Sequence, residues 1–203
     1  MFQKGILLII SGPSGAGKGC VIKLLRKQNE NLKKSISATT RLPREGETDG
    51  VNYYFKTIDE FKIMIEQNEL LEWVQYCGNY YGTPRKFIED SIQEGTDVVM
   101  EMEVEGALNV KQKFPECVIT FMLPPSYDEL KKRIVGRGTE DEGTIAKRLQ
   151  RAKEEVACAE RYDYLVVNDV LQQAVDDVNR ILTSERMRPR RNLDALRRII
   201  GYY

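Results

Sequence analysis

The stretch that most constrains this chain is residues 5–20, GILLIISGPSGAGKGC. The apolar run from Ile6 to Ile10 predicts a strand covered on both faces, as in a parallel sheet. Gly12-Pro13-Ser14-Gly15-Ala16-Gly17-Lys18 follows and fits G-x-x-x-x-G-K. Apolar residues at Val21, Ile22, Leu24 and Leu25 then predict an amphipathic helix. Strand, glycine-rich loop and helix together form a phosphate-binding P-loop. The glycines let successive backbone N–H groups converge on an anion, the helix N-terminus adds positive potential, and Lys18 reaches the outer phosphates. The competing reading is an ordinary strand–turn–helix corner, which gives no reason for Lys18 at that place.

The residue after Lys18 is Gly19, where a P-loop ordinarily carries a Ser or Thr whose hydroxyl holds Mg²⁺. A metal would then rely on water, nucleotide phosphates and a carboxylate from elsewhere in the chain.

The remaining composition narrows the chemistry. At 203 residues the chain can form one α/β domain with insertions. Its 31 basic and 31 acidic residues cancel, which argues against nucleic acid as a partner. No apolar run reaches membrane-spanning length, so no membrane partner is expected, and Met1 leads so directly into the first strand that no leader is expected. Cys20, Cys77, Cys117 and Cys158 are widely spaced, as expected of free thiols in the cytoplasm. There is no histidine, which removes Ser-His-Asp chemistry and most zinc sites. Catalysis must run on Lys, Arg, carboxylates and bound metal.

Along the chain, residues 35–45 (SISATTRLPRE) place Arg41 and Arg44 on an extended, hydroxyl-rich segment. Such a pair forks onto a phosphate or forms a solvated basic loop. A strand is expected at 53–55 and a helix at 59–67. The apolar run 70–76 contains Glu72, a carboxylate that needs a partner unless it faces outward. Tyr80 and Tyr81 fit either core or pocket. A helix is expected at 85–94, then a strand at 98–104 with Glu101 and Glu103 on one face, suited to metal or ligand work or to an edge strand's polar side. A helix at 106–113 and a strand at 118–123 follow. Ser126 and Glu129 form a capping-box pattern at the start of a helix over 126–137, and a second helix is expected at 144–161. Arg133, Arg137 and Arg148 lie on this polar helix–loop–helix, which reads as a mobile lid or as two solvated helices. A strand at 164–169 and a helix at 171–185 precede a basic tail with Leu193, Leu196, Ile199 and Ile200 at helical spacing.

From residue 5 to about 185 the sequence resembles the guanylate kinases. SGPSGAGKG, SATTRLPREGETDGVNYYF, LLEWVQYCGNYYGTP, EMEVEGA, PPSYDELKKRIVGRGTE and YDYLVVND carry the resemblance. It implies an α/β P-loop kinase fold, with a parallel central sheet flanked by helices, a small mixed α/β GMP-binding insertion and a helical lid. The core would be 1–34, 85–125 and 162–203, the insertion 35–84 and the lid 126–161. It implies transfer of the γ-phosphoryl group of ATP to GMP and dGMP, with Mg²⁺. Carried over by motif, Gly12, Pro13, Ser14, Gly15, Ala16, Gly17, Lys18 and Gly19 hold ATP phosphates, and Asn168 lies near adenine. Arg41, Arg44, Tyr53 and Tyr81 hold the GMP phosphate. Ser37, Glu72 and Thr83 read guanine, helped by Glu101 or Glu103. Lys18, Arg41, Arg133, Arg137 and Arg148 act on the transferring phosphoryl, and Glu101 holds the metal directly or through water. Glu101, Glu103 and Glu105 stand where Asp, Asp and Gln are common in the family. Two alternatives remain at this point: a non-catalytic interaction module on the same fold, and a nucleotide kinase for another base. Oligomeric state and the tail's role stay open.

Overall fold

The computed structural model describes residues 4–136 and 142–201. Its centre is a five-stranded parallel sheet in the order β2 (Leu32–Lys34), β7 (Asp97–Glu101), β1 (Leu7–Ser11), β8 (Val118–Leu123), β9 (Tyr164–Val167). The continuous apolar run of β1 follows from this central place. Ile6, Leu8 and Ile10 pack on one side against Val21, Ile22 and Leu25 of α1 (Lys18–Gln28) and Val175 and Val178 of α7 (Leu171–Arg186). Leu7 and Ile9 pack on the other against Ile88 of α3 (Arg85–Gln93) and Ala107 and Val110 of α4 (Val104–Lys113). Each such side chain, fully withdrawn from water, contributes roughly 1.5–3 kcal/mol. The C-terminal ends of β1 and β7 thereby come side by side, with Ile10 opposite Glu101.

Residues 97–104 depart from expectation. The strand stops at Glu101, and Glu103 is the N-cap of α4, its carbonyl accepting from Ala107 N–H at 3.0 Å. Glu101 and Glu103 therefore do not share a strand face. Acidic Glu103 and Glu105 suit the positive end of a helix, a local preference that the apolar pattern concealed. The strand is internal, between β2 and β1, so the edge-strand reading of its carboxylates fails. Strand β2 was not anticipated, because only Leu32 of its three residues is buried.

A second, four-stranded sheet has the order β4 (Tyr54–Phe55), β3 (Ala38–Thr39), β6 (Asn79–Pro84), β5 (Leu70–Tyr76). Strands β5 and β6 form a hairpin whose turn residues Cys77 and Gly78 both have positive φ, 48° and 78°, the requirement of a type I′ turn. Helix α2 (Ile58–Glu66) begins with a complete capping box from Thr57 and Glu60, one residue earlier than expected. Its Phe61 is fully buried and stacks on Tyr80 at 5.4 Å, which makes Tyr80 part of this small core.

Helices α5 (Tyr127–Val135) and α6 (Glu142–Ala157) pack through Leu130, Ile134, Leu149 and Ala152. Ser126 caps α5 as expected, accepting from Glu129 N–H at 3.1 Å. Helix α6 ends at Ala157, and a separate 3₁₀ turn occupies Ala159–Arg161. Arg137 lies outside the described residues.

The tail is tied to the core. Glu185, 1% exposed, accepts from Tyr164 Oη at 2.8 Å and pairs with Arg188, Arg190 and Arg191. Helix α8 (Leu193–Ile199) follows, with Leu193, Leu196 and Ile199 exposed. Among the described residues no helix is long and apolar enough to cross a membrane.

Candidate active site

The loop between β1 and α1 needs its glycines at two places. Gly12 has φ 134°, and a Cβ there would lie 2.2 Å from the Met122 carbonyl oxygen of β8. Gly17 has φ 86°, and its Cβ would meet Asn168 Nδ2 at 2.3 Å. Asn168 is buried just beyond β9; Nδ2 donates to Ala16 O at 2.8 Å and its backbone N–H to Leu123 O at 2.7 Å. Its side chain thus holds the loop from beneath. Lys18 Nζ lies over the same loop, donating to Gly12 O at 2.6 Å and Pro13 O at 3.3 Å.

Helices α5 and α6 reach this loop and the residue that supports it. Arg148 of α6 donates to the Ser14 hydroxyl. Arg133 of α5 donates to Glu129 at 2.9 Å and to the Asn168 carbonyl at 3.1 Å. Arg151 of α6, not singled out from sequence as a site residue, bridges Glu155 at 3.0 Å and Glu103 at 3.1 Å. Burial pushes the Glu155 carboxyl upward, against the hydrogen bond from Arg151.

A cleft of about 720 Å³ brings Ser14, Gly15, Gly17, Lys18 and Gly19 together with Ser37, Tyr53, Glu101 and Glu103. Lys23, Lys34, Ser35 and Asn52 also line it. Lys23 and Lys34 belong to no motif, while Ser35 and Asn52 lie within the segments 35–45 and 37–55 without a role assigned from sequence. The two lysines make the cleft more basic than the balanced composition suggests.

Arg41, Arg44, Glu72, Tyr81 and Thr83 are not among the cleft's lining residues, but belong to the second sheet and its loop. Glu72 and Thr83 are paired across the hairpin, and Thr83 Oγ1 donates to Glu72 Oε1 at 2.7 Å. Burial pushes the Glu72 carboxyl up, with the Thr83 hydroxyl and distant Lys113 pulling it back. Arg41 lies 5.4 Å from the Tyr53 ring centroid and 5.9 Å from that of Phe55. Tyr53 meets Tyr81 edge-on at 6.2 Å. Tyr53 therefore joins the two groups, lining the cleft and packing beside Arg41 and Tyr81. Glu47 was also missed: it pairs with Arg41 at 2.9 Å, holding its own carboxyl low and raising the guanidinium's pKa. Its signal was its place three residues after Arg44 in a turn.

For a metal, a Cβ on Gly19 would lie 3.6 Å from Glu101 Oε2, so the carboxylate occupies the space beside the glycine. Among the described residues no group of three His, Cys, Asp or Glu could hold an ion by itself. One hard oxygen donor beside a phosphate cradle fits Mg²⁺, which keeps waters and takes the rest of its shell from nucleotide phosphates.

Comparison with known proteins agrees with this geometry. The family model described as guanylate kinase matches residues 4–185. The chain is 50% identical over 198 residues to the guanylate kinase of Halalkalibacterium halodurans, covering 98% of this chain and 97% of that one. It is 54% identical over 187 residues to the guanylate kinase of Desulfitobacterium hafniense, covering 92% and 94%. The crystal structure of guanylate kinase from Anaplasma phagocytophilum superposes with a TM-score of 0.75 at 30% identity, covering 99% of this chain and 97% of the other.

Proposed function

The chain belongs to the guanylate kinase family and phosphorylates GMP to GDP at the expense of ATP, and from that premise we propose how its residues divide the work. The observation that carries the proposal is the cleft that places the P-loop beside Ser37, Tyr53 and Glu101. Two phosphorylated substrates can meet there with their phosphates toward one another.

The loop amides from Gly12 to Gly19 and Lys18 hold the ATP phosphates. Asn168 serves them by fixing the loop, a role supported by its bond to Ala16 O. Arg41, Arg44, Tyr53 and Tyr81 take the phosphate of GMP. Glu72 accepts the adjacent N1–H and N2 amine of guanine as an ionised carboxylate, with Thr83 orienting it. Ser37 also reads guanine, helped by Glu101 or Glu103. The second sheet is thus the GMP-binding part, α5 and α6 the lid, and the five-stranded sheet the ATP-binding core.

Phosphoryl transfer requires alignment and positive charge on the equatorial and bridging oxygens, and little covalent chemistry. Lys18, Arg133 and Arg148 supply that charge, with Arg137 in the sequence between the two arginines' helices. Contacts of Arg148 with Ser14 and of Arg133 with Asn168 support a lid that closes on the loop and excludes water. Glu101, together with water and the nucleotide phosphates, would hold Mg²⁺, which would supply charge neutralisation there. dGMP, which carries the same base and phosphate, is also a substrate in this reading. The protein acts in the cytoplasm, on small molecules rather than on nucleic acid or a membrane.

Lys18→Met tests the assignment through ADP release with GMP and ATP. Turnover should fall by about 10³ or more, with the melting temperature nearly unchanged. Near-normal turnover would remove the P-loop from the mechanism.

A further inference from the structure

Glu47 lies within SATTRLPREGETDGVNYYF, where the resemblance gives it no role, and its carboxylate is bonded at both oxygens. Oε1 accepts from Arg41 Nη2 at 2.9 Å, and Oε2 accepts from the backbone N–H of Arg44 at 2.8 Å. Glu47 N–H donates in turn to Arg44 O at 3.0 Å, closing the loop on itself. The Arg41 and Glu47 side chains are 15% and 19% exposed, so the pair is partly withdrawn from solvent at the surface of the loop.

We propose that Glu47 is a positioning residue for phosphate recognition: it fixes the Arg41 guanidinium in the orientation that receives the phosphate of GMP. The inference rests on the reading that Arg41 binds that phosphate. Tyr53 and Phe55 lie beside the guanidinium and limit where its plane can go. Packing against rings leaves rotation within the plane free, and Glu47 removes that freedom. Arg41 Nη1 donates to Leu42 O at 2.7 Å, which completes the fixing from within the same loop. A guanidinium has five N–H donors, so donors remain for an incoming phosphate.

The other role open to a carboxylate here is competition with the phosphate for Arg41. The second oxygen argues against it. Glu47 is anchored to the backbone beside Arg44, so leaving Arg41 would open the loop that carries both arginines. Its low pKa, caused by these same bonds, keeps it charged at neutral pH. A fixed guanidinium forfeits less rotamer entropy on binding than a free one, so the gain appears in affinity for the phosphate.

The test is calorimetric titration of GMP and of guanosine, which lacks the phosphate, into the wild type, Glu47→Gln, Glu47→Ala and Arg41→Met. Glu47→Ala should weaken GMP by roughly tenfold and leave guanosine unchanged, contracting the ratio of the two affinities. Glu47→Gln should fall between, because its amide oxygen can still accept one bond. Equal losses for GMP and guanosine would mean a merely structural role and would overturn the proposal, as would tighter GMP binding in Glu47→Gln. An unchanged ratio in Arg41→Met would instead overturn the phosphate reading on which the proposal stands.

Discussion

Arg148 of the lid helix donates a hydrogen bond to the hydroxyl of Ser14 in the phosphate loop, across 134 residues of sequence. Helix α6 and the loop between β1 and α1 are therefore in direct contact. Arg148→Met should lower kcat by about 10³, as for an arginine that stabilises charge in the transition state, with a much smaller change in ATP affinity. Single-turnover measurement separates the two. A loss confined to KM for ATP would make Arg148 a binding residue only.

Glu72 gives a prediction about stability as well as activity. Burial raises its pKa in the folded protein above that of the unfolded chain. The protonated form is thus favoured by folding. Stability from this group is full at a pH below the ordinary carboxylate pKa and declines as pH rises through the raised value. Glu72→Gln should consequently raise the melting temperature of the ligand-free protein by about 2 °C at pH 7 and by nothing at pH 4. The same substitution should lower kcat/KM for GMP by roughly 10² or more, since an amide offers an N–H where guanine also offers one. For the wild type, kcat/KM for GMP should fall on acidification at a pH above the usual carboxylate range. Unchanged stability and GMP use in Glu72→Gln would remove the residue from base reading.

Gly17 and Asn168 form a second linked pair. Gly17→Ala places a methyl group 2.3 Å from Asn168 Nδ2 on a backbone with φ 86°. It should destabilise the protein by about 1–3 kcal/mol and displace the loop, weakening ATP. Asn168→Ala should weaken ATP as well, through loss of the bond to Ala16 O. Thermal melting and equilibrium ATP binding check both variants. Normal ATP affinity in Asn168→Ala would show that the loop holds its form without that bond.

Gly19 leaves ordinary contact distance for a Cβ beside Glu101. Gly19→Ser should fold, and its hydroxyl should lower the Mg²⁺ concentration needed for half-maximal rate. Glu101→Gln should raise it. Titrating Mn²⁺ by its paramagnetic relaxation in the presence of ATP gives the same order without turnover. Equal metal affinity in wild type and Glu101→Gln would contradict the assignment.

Much of this site was legible because its parts are local. The strand–loop–helix around Gly12–Lys18, the N-cap at Ser126 and the strand carrying Glu72 are each specified within a few residues and are found as read, although Glu129 bonds Arg133 rather than closing a capping box. The strand end at Glu101 was misread because apolar residues continue through Met102 and Val104, while the acidic helix start at Glu103 has no apolar signature of its own. Glu47 meets Arg41 and Arg44 within one loop, but the roles of Arg151 and Asn168 depend on contacts with residues placed by folding. Glu103 lies 48 residues from Arg151, and Ala16 lies 152 residues from Asn168. No periodicity in one sequence carries such pairings. Lys23 and Lys34 enter the cleft for a similar reason: α1 and β2 turn them toward it.

A base site built around the Glu72 carboxylate would select guanine. Adenine has an unprotonated N1 and an amine in place of O6, so it would leave that carboxylate with the Thr83 hydroxyl and no donor from the base. A site built to hydrogen-bond its substrate rejects an analogue lacking the groups by about 10⁴ or more. The direct measurement is kcat/KM by ADP release for GMP, dGMP, AMP, UMP and CMP under one set of conditions. The account predicts that GMP and dGMP are used and that AMP is disfavoured by about 10⁴. Comparable kcat/KM for AMP and GMP would contradict it.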